Sequence, residues 1–342
     1  VSSVTEAILV VGPSWVGDMV MAQSLFITLK QRHPDCRIDV LAPAWCFALL
    51  ERMPEVRQAI AMPLGHGDFG LLARIRLGRQ LRERAYTQAI VLPNSWKSAL
   101  LPFFANIPCR TGYVGEARWG LLNDARKLNR MRLGMTVQRF VALGLPANHS
   151  RPPVYPYPSL SIETAQQAAV MDKFGIQPGG RILALCPGAE YGPAKRWPTE
   201  YFAEIAATLS VQGWQVWLFG SDKDQLVADE IDDLSSGVCR NFTGITSLGE
   251  AVDLLSLSDL VVSNDSGLMH VAAALDKKLL ALYGSSDPGF TPPLHDAAMI
   301  IDLNLPCSPC FKRECPLGHT DCLTGITPDM VLAAINKLSA RT

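Results

Sequence analysis

The chain has 342 residues, 48% of them hydrophobic and 18% charged, with a formal net charge of −1. That length suits two domains, each able to bury its own core, and the near-zero charge supplies no field to draw the molecule to nucleic acid. No apolar run approaches the ~18 residues of a membrane span, and the N-terminus lacks a basic stretch followed by an apolar one, so the expectation is a soluble, cytoplasmic protein.

Short β-rich runs alternate with helical patterns nearly throughout, the signature of βαβ units and parallel sheets. In the first half the predicted strands are 8–11, 38–41, 59–62, 89–92 and a weaker 109–113. The first feeds a turn and a helix, "GPSWVGDMVMAQSL", in the manner of a nucleotide-binding unit. Yet it places a carboxylate, Asp18, where a phosphate cradle needs backbone amides and no negative charge.

Further on, "GHGDFG" (65–70) fits G-x-G-x-x-G, but it follows the third predicted strand, and the next strand runs into "PNSWK" with no acidic residue to take a ribose. A mobile glycine loop facing a cleft is favoured over a dinucleotide site. The segment "LLARIRLGRQLRERA" sets Arg74, Arg76, Arg79, Arg82 and Arg84 against one acid, Glu83. It reads either as a solvated helix face or as a basic patch for an anionic substrate or an acidic membrane surface, which Lys97, Arg110 and Arg118 would extend.

The proline-rich stretch "RPPVYPYPSL" (151–160) then breaks all periodicity and reads as a linker, dividing the chain into domains 1–160 and 161–342. Predicted strands at 182–186, 215–219, 238–242, 260–262, 279–283 and 299–302 describe a second doubly wound sheet. The expected fold class is therefore α/β, two tandem Rossmann-like domains facing across a cleft.

Ligands of open α/β sheets bind beyond the carboxyl ends of the strands, which singles out three loops of the second half. In "PGAEYGPAKRWPTEYFAEIA", Lys195 and Arg196 precede a helix start marked by Pro198 and Glu200. Alone the two cations would read as solvated loop charges, but beside the positive end of a helix they make an anion site. In "GSDKDQLVADEI", Asp222 and Asp224 either cap the next helix or hold ribose hydroxyls. In "SNDSGLMHVAAAL", Asp265 or Ser266 caps a helix, Gly267 lets a ligand approach the backbone, and His270 lies in the first turn, either as a ligand contact or as a satisfied, half-buried side chain.

Of nine cysteines, Cys36, Cys46, Cys109, Cys186 and Cys239 are scattered in apolar or strand-like contexts, as reduced core thiols are. The other four, Cys307, Cys310, Cys315 and Cys322, cluster in "CSPCFKRECPLGHTDC" with His319 as a spare nitrogen. The C-x2-C start and two further thiols suit a structural zinc, although the spacing matches no standard finger; unmetallated thiols or disulfides remain the alternative, and each would pin a loop.

Together "PSWVGDMVMAQSL", "PGAEYGPAKRWP", "SNDSGLMHVAAAL" and "ITPDMVLAAI" resemble the ADP-heptose:lipopolysaccharide heptosyltransferases. "LAPAWC", "MPLGHG" and "LPNSWKSALLPFFANIPCRTGY" look most like the branch that adds the second core heptose. The resemblance covers almost the whole chain in the expected order. It implies a GT-B glycosyltransferase architecture, with the acceptor in the N-terminal domain, the donor in the C-terminal one, and a last helix (about 327–340) that packs back on the N-terminal domain.

It also implies inverting transfer of L-glycero-D-manno-heptose from ADP-heptose to the first heptose of the lipopolysaccharide inner core. Asp18 matches the family's catalytic base, and Lys195 the lysine that meets the donor phosphates. Donor contacts would come from Ser14, Gly17, Ala189, Arg196 and Ser221, and from Asp224, Asp265, Ser266, Gly267 and His270. Asn94, Lys97, Arg110 and Arg118 are the candidates for the phosphorylated, lipid-linked acceptor.

No D-x-D motif flanks the donor loops, so no obligatory metal or other cofactor is expected. The expected location is the inner face of the inner membrane of a Gram-negative bacterium, with transient contact to that surface. The rival readings are a GT-B transferase using another sugar nucleotide, a catalytically silent nucleotide-sugar-binding protein and, weakened by the missing acidic residue, an NAD-dependent dehydrogenase.

Overall fold

A computed structural model describes residues 6–65, 68–149, 151–177 and 179–340. The chain divides into two compact units, Val1–Pro158 and Ser159–Thr342.

The first unit holds strands β1 (Ala7–Val11), β2 (Arg37–Ala42), β3 (Val56–Ala61), β4 (Gln88–Val91), β5 (Cys109–Tyr113) and β6 (Asp124–Arg126). All pair in parallel, in the order β3-β2-β1-β4-β5-β6. β1 reads AILVV and is buried along its length, because a central parallel strand is covered by helices on both faces. The helix Val16–Arg32 that follows buries Met19, Val20, Leu25, Phe26 and Leu29, with Lys30 and Arg32 in its last turn, where cations complement the helix dipole.

The second unit repeats the plan with β7 (Arg181–Cys186), β8 (Trp214–Leu218), β9 (Cys239–Asn241), β10 (Leu260–Asn264), β11 (Lys278–Leu282) and β12 (Met299–Ile301), in the parallel order β12-β11-β10-β7-β8-β9. Trp197, Phe202, Leu218, Val262 and Leu282 share its main apolar cluster, and the last helix, Pro328–Ser339, adds Val331, Ile335 and Leu338 to it.

Each predicted strand has a counterpart within three residues at either end. β6 has no counterpart in the sequence reading: it is a three-residue edge strand, Asp-Ala-Arg, without apolar alternation, and only its pairing with β5 makes it a strand. In both sheets the strand order reverses beside the first strand, between β1 and β4 and between β7 and β10. A crevice forms at the carboxyl ends of the strands at such a reversal.

Candidate active site

Asp18 stands at the first of these reversals. It is half-buried in the first turn of the helix leaving β1. Trp15, at the N-cap, supplies no side-chain cap. The Ser14 carbonyl accepts a hydrogen bond from Trp45 Nε1 at 3.3 Å, tying the turn after β1 to the turn after β2.

Of the glycines in this turn, Gly12 is a packing position. A Cβ on Gly12 would lie 2.7 Å from Met19 Cε and 3.2 Å from Val40 Cγ1, so Gly12 is small to let helix and strand meet. Gly17 is likewise buried.

The four acceptor candidates separate. Asn94 and Lys97 lie in and just beyond the loop at the carboxyl end of β4, on the edge that carries Asp18. Arg118 is 2% exposed and donates to the carbonyls of Pro93 and Tyr113 and to Asn94 Oδ1, clamping the loops after β4 and β5 together, while its Nε has no partner among the described residues. Arg110 sits near the start of β5, on the opposite edge of the sheet, donating to Leu121 and Ile107 carbonyls and stacking over Phe103. Spacing in the sequence cannot tell a strand's two ends apart as solvent sees them; the parallel register can.

The arginine-rich segment, predicted to present one basic face, is also divided. Arg74 is buried and donates to Phe69, Asp68 and Lys97 carbonyls, and Arg84 pairs with the fully buried Asp39, which also binds Arg57 and Tyr86. Of the 65–70 glycine loop, 66 and 67 lie outside the described residues; Asp68 there accepts the Gly65 N–H.

In the second unit the three chosen loops converge. Lys195 Nζ, from the loop after β7, lies 2.5 Å from Asp265 Oδ2, from the loop after β10, so the ion pair spans the crevice of the second sheet. The pair is 17% and 5% exposed at its two side chains. Beside it, the Trp197 N–H donates to Asn264 Oδ1 at 3.1 Å, Asn264 Nδ2 donates to the Pro187 carbonyl at 2.7 Å, and Trp197 Nε1 donates to the Ile326 carbonyl at 2.8 Å. The buried indole therefore anchors the backbone two residues from the lysine.

Tyr191 completes the lysine's seat. Its ring has Lys195 Nζ 5.2 Å from the centroid and Arg313 Cζ 5.3 Å from it, a pair of cation–π contacts.

The helix Gly267–Ala274 starts at Ser266, whose hydroxyl lies 3.2 Å from Ser263 Oγ and does not cap it. With Asp265 committed to Lys195, neither expected cap is made, and the first N–H groups of this helix stay open to an anion. Asp224 does cap: its carboxylate accepts from the Ser221 N–H and hydroxyl, its other oxygen faces Arg196 at 3.4 Å, and a Cβ on Gly188 would strike it. Buried this way, it fastens the loops after β7 and β8. Ala189 is buried between them.

His270 is buried, and burial, which disfavours the charged ring, lowers its pKa to about 4; Asp265 opposes the shift and Lys195 adds to it. It is therefore neutral at pH 7. An unfolded histidine takes up a proton near 6.5 while the folded one waits until about 4, so this group withdraws stability as pH falls from 6.5 to 4. The expected loss is roughly 3 kcal/mol. Urea unfolding at pH 7 and pH 4.5 should show His270→Gln with a smaller pH dependence than the parent; an equal dependence would contradict the buried neutral ring.

Sequence reasoning missed three hydroxyls. Ser285 and Ser286, after β11, and Thr243, after β9, are 1%, 4% and 2% exposed, and their Oγ atoms have no hydrogen-bond partner among the described residues. Arg196 Nε is orphaned in the same way. Buried polar groups are normally paired, so each of these orphans is open to a water or a polar ligand. Adjacent serines in "YGSSDPGF" after a predicted strand were the available signal.

The four clustered cysteines are free thiols, and among the described residues no group of three or more His, Cys, Asp or Glu side chains is arranged to hold a metal ion. Of the alternatives for Cys307, Cys310, Cys315 and Cys322, the structure shows free thiols, with no metal cage among the described residues. Cys315 instead accepts hydrogen bonds from backbone N–H groups at Thr320, Leu317, Gly318 and His319, which lower its pKa. The loop is held by its backbone: Ala194 N–H donates to the Arg313 carbonyl at 3.0 Å, Tyr191 Oη to the Phe311 carbonyl at 2.8 Å, and Phe311 N–H to the Ser285 carbonyl at 2.7 Å. It thus buttresses the lysine loop. Among the scattered cysteines, burial pushes Cys46 and Cys239 up to about 11 and Cys186 up to about 12, as for inert core thiols.

The chain can now be set against known proteins. A family model, glycosyltransferase family 9 (heptosyltransferase), matches residues 74–321. The chain is 49% identical over 340 residues to lipopolysaccharide heptosyltransferase 2 of Salmonella typhimurium, with 97% of this chain and 98% of that protein covered. It is 50% identical over 349 residues to lipooligosaccharide heptosyltransferase 2 of Haemophilus influenzae, with 98% and 99% covered. Among solved structures it matches the Escherichia coli ADP-heptose lipopolysaccharide heptosyltransferase II with a TM-score of 0.86 at 45% identity, covering 97% of this chain and 98% of that one. Two parallel six-stranded sheets with their helices, as in that structure, make this a GT-B-like pair of Rossmann-like domains. The chain belongs to glycosyltransferase family 9, the heptosyltransferases.

Proposed function

We propose that this enzyme transfers L-glycero-D-manno-heptose from ADP-heptose to the first heptose of the lipopolysaccharide inner core, with inversion at the anomeric carbon. The observation that carries the donor half is the Lys195–Asp265 pair spanning the β7–β10 reversal beside an uncapped helix start. Cations and open N–H groups there suit a pyrophosphate, and the relatives at about half identity carry the heptosyltransferase name.

In this reading Asp265 holds the Lys195 ammonium until the donor phosphates take it. The orphaned hydroxyls of Ser285, Ser286 and Thr243 and the orphaned Arg196 Nε then find partners on the donor. Asp18, at the carboxyl edge of the first sheet, accepts the proton of the acceptor hydroxyl as its oxygen bonds to the anomeric carbon. The bond from that carbon to the phosphate oxygen breaks, and ADP leaves with the electron pair, its charge met by Lys195 and Arg196. Positive side chains and helix ends meet that charge without calling on a metal. The first unit would take the acceptor and the second the donor. No helix among the described residues is long and apolar enough to cross a membrane; in this reading the enzyme meets its lipid-linked acceptor at the cytoplasmic face of the inner membrane.

A nucleotide panel tests the donor. Titration calorimetry should give tighter binding for ADP than for UDP or GDP, and mass spectrometry of the acceptor should show the gain of one heptose only with ADP-heptose. Tighter binding of UDP would overturn the assignment in favour of a transferase using another sugar nucleotide.

A further inference from the structure

The middle of the cysteine loop straps the mouth of the second crevice. Phe311 N–H donates at 2.7 Å to the carbonyl of Ser285, after β11, and the Arg313 carbonyl accepts at 3.0 Å from the N–H of Ala194, after β7. In the sheet β10 lies between those two strands, so residues 311–313 bridge the two sides of the loop that carries Asp265. Tyr191 Oη, donating to the Phe311 carbonyl at 2.8 Å, adds a third tie. Gly192 permits the approach, because a Cβ there would lie 2.5 Å from the Arg313 carbonyl oxygen.

The charges beside this strap are balanced against one another. Lys195 faces Asp265 at 2.5 Å, Arg196 faces Asp224 at 3.4 Å and Lys223 faces Glu190 at 2.6 Å, so each cation on the loops after β7 and β8 already has a carboxylate. A nucleoside diphosphate carries several negative charges, and paired cations alone leave the crevice without the surplus that would draw it in. Arg313 supplies the surplus. It is exposed, and its guanidinium makes no hydrogen bond or ion pair among the described residues. Its Cζ stands 5.3 Å from the centroid of the Tyr191 ring, the same ring that has Lys195 Nζ at 5.2 Å. One aromatic ring thus seats a paired cation and an unpaired one, and the N–H donors of the second are open.

A planar guanidinium meets a phosphate through two parallel hydrogen bonds, which fixes the phosphate's orientation as well as its charge. We propose that Arg313 grips the terminal phosphate of the bound nucleoside diphosphate, the one on which charge grows as the sugar leaves. The inference deepens the proposed donor reading and rests on it: Lys195 and Arg196 meet the diphosphate from the loop after β7, and Arg313 meets it from the strap. Tyr191 sets the guanidinium beside the lysine, and the backbone ties at Ser285 and Ala194 fix the height of the strap over the crevice. Lys312, the neighbouring cation, is exposed and has no such ring contact among the described residues, so it serves as the control.

The test uses the whole enzyme and two substitutions, Arg313→Met, which keeps an unbranched stem against Tyr191 and loses the charge, and Lys312→Met, which removes the same charge next door. Calorimetric titration with ADP and with AMP, which lacks the terminal phosphate, reads the contact directly. Arg313→Met should weaken ADP about tenfold and leave AMP within about twofold of the parent. It should also lower kcat/KM for the sugar donor by about 10–100-fold, because the contact strengthens as charge collects on the departing phosphate. Lys312→Met should change none of these by more than about twofold, as expected of a screened surface charge.

Parental ADP affinity and kcat/KM in Arg313→Met overturn the proposal. So do equal losses for ADP and AMP, which would make Arg313 a brace for its loop, and losses in Lys312→Met as large as those in Arg313→Met, which would make the effect one of net charge. If the parent prefers UDP to ADP, the ADP-sugar reading fails, and UDP against UMP decides Arg313 in the same way. If the parent binds no nucleoside diphosphate, the donor reading and this inference fall together.

Discussion

Asp18→Asn is expected to lower kcat by about 10²–10⁴-fold while leaving the affinity for ADP within about twofold of the parent. The amide keeps the shape of the carboxylate and its place in the first turn of the Val16–Arg32 helix, so the fold has no reason to respond strongly. What it loses is the capacity to accept a proton. As the acceptor oxygen bonds to the anomeric carbon, its hydroxyl proton has no basic oxygen to move to, and the barrier rises. In the proposed reading the nucleotide is held by the other unit, so calorimetry with ADP reads that site separately. Turnover close to the parent's would remove Asp18 from the mechanism; a parallel loss of ADP binding would mean that the substitution had disturbed more than proton transfer.

Lys195→Ala should lower kcat/KM for the donor by about 10²–10³-fold, because the ammonium meets charge that grows as the phosphate leaves. This substitution also touches stability. Asp265 is 5% exposed and would be left as a buried carboxylate without its cation, so the melting temperature should fall as well. A second variant separates the two effects: Lys195→Ala with Asp265→Asn removes the stranded charge and should recover most of the lost stability while leaving donor use impaired. A single variant with parental kcat/KM would count against the phosphate role. Recovery of activity in the double variant would show that the ion pair acted only through the fold.

Much of this enzyme was legible before any coordinates. The strand positions followed from apolar runs punctuated by glycine and proline, since a buried parallel strand has to be apolar on both faces. The three loops singled out in the second unit followed from the rule that ligands sit beyond strand carboxyl ends, and Lys195, Asp265 and His270 do come together there. Other assignments failed for reasons outside the reach of local pattern. Whether an arginine greets solvent depends on what packs over it: Arg118 and Arg74 were swallowed by neighbouring loops whose carbonyls take their guanidinium protons. Gly12 is small because Met19 packs against it, which no local pattern reveals. For Asp224 the sequence left a cap and a ribose contact open, and the carboxylate is turned onto Ser221 and Arg196, as a cap.

The sequence by itself determined the class of fold, the two-part plan, the order of chemical loops and the family, because each is written in periodicities and motifs a few residues long. The tertiary structure alone decided which charges meet. Lys195 and Asp265 are 70 residues apart, and they form a pair because a doubly wound sheet sets its first and fourth strands side by side. It alone sorted the tryptophans into a buried set and an exposed one, because burial is a property of what a surface is packed against, and parallel strands carry their loops to a common edge.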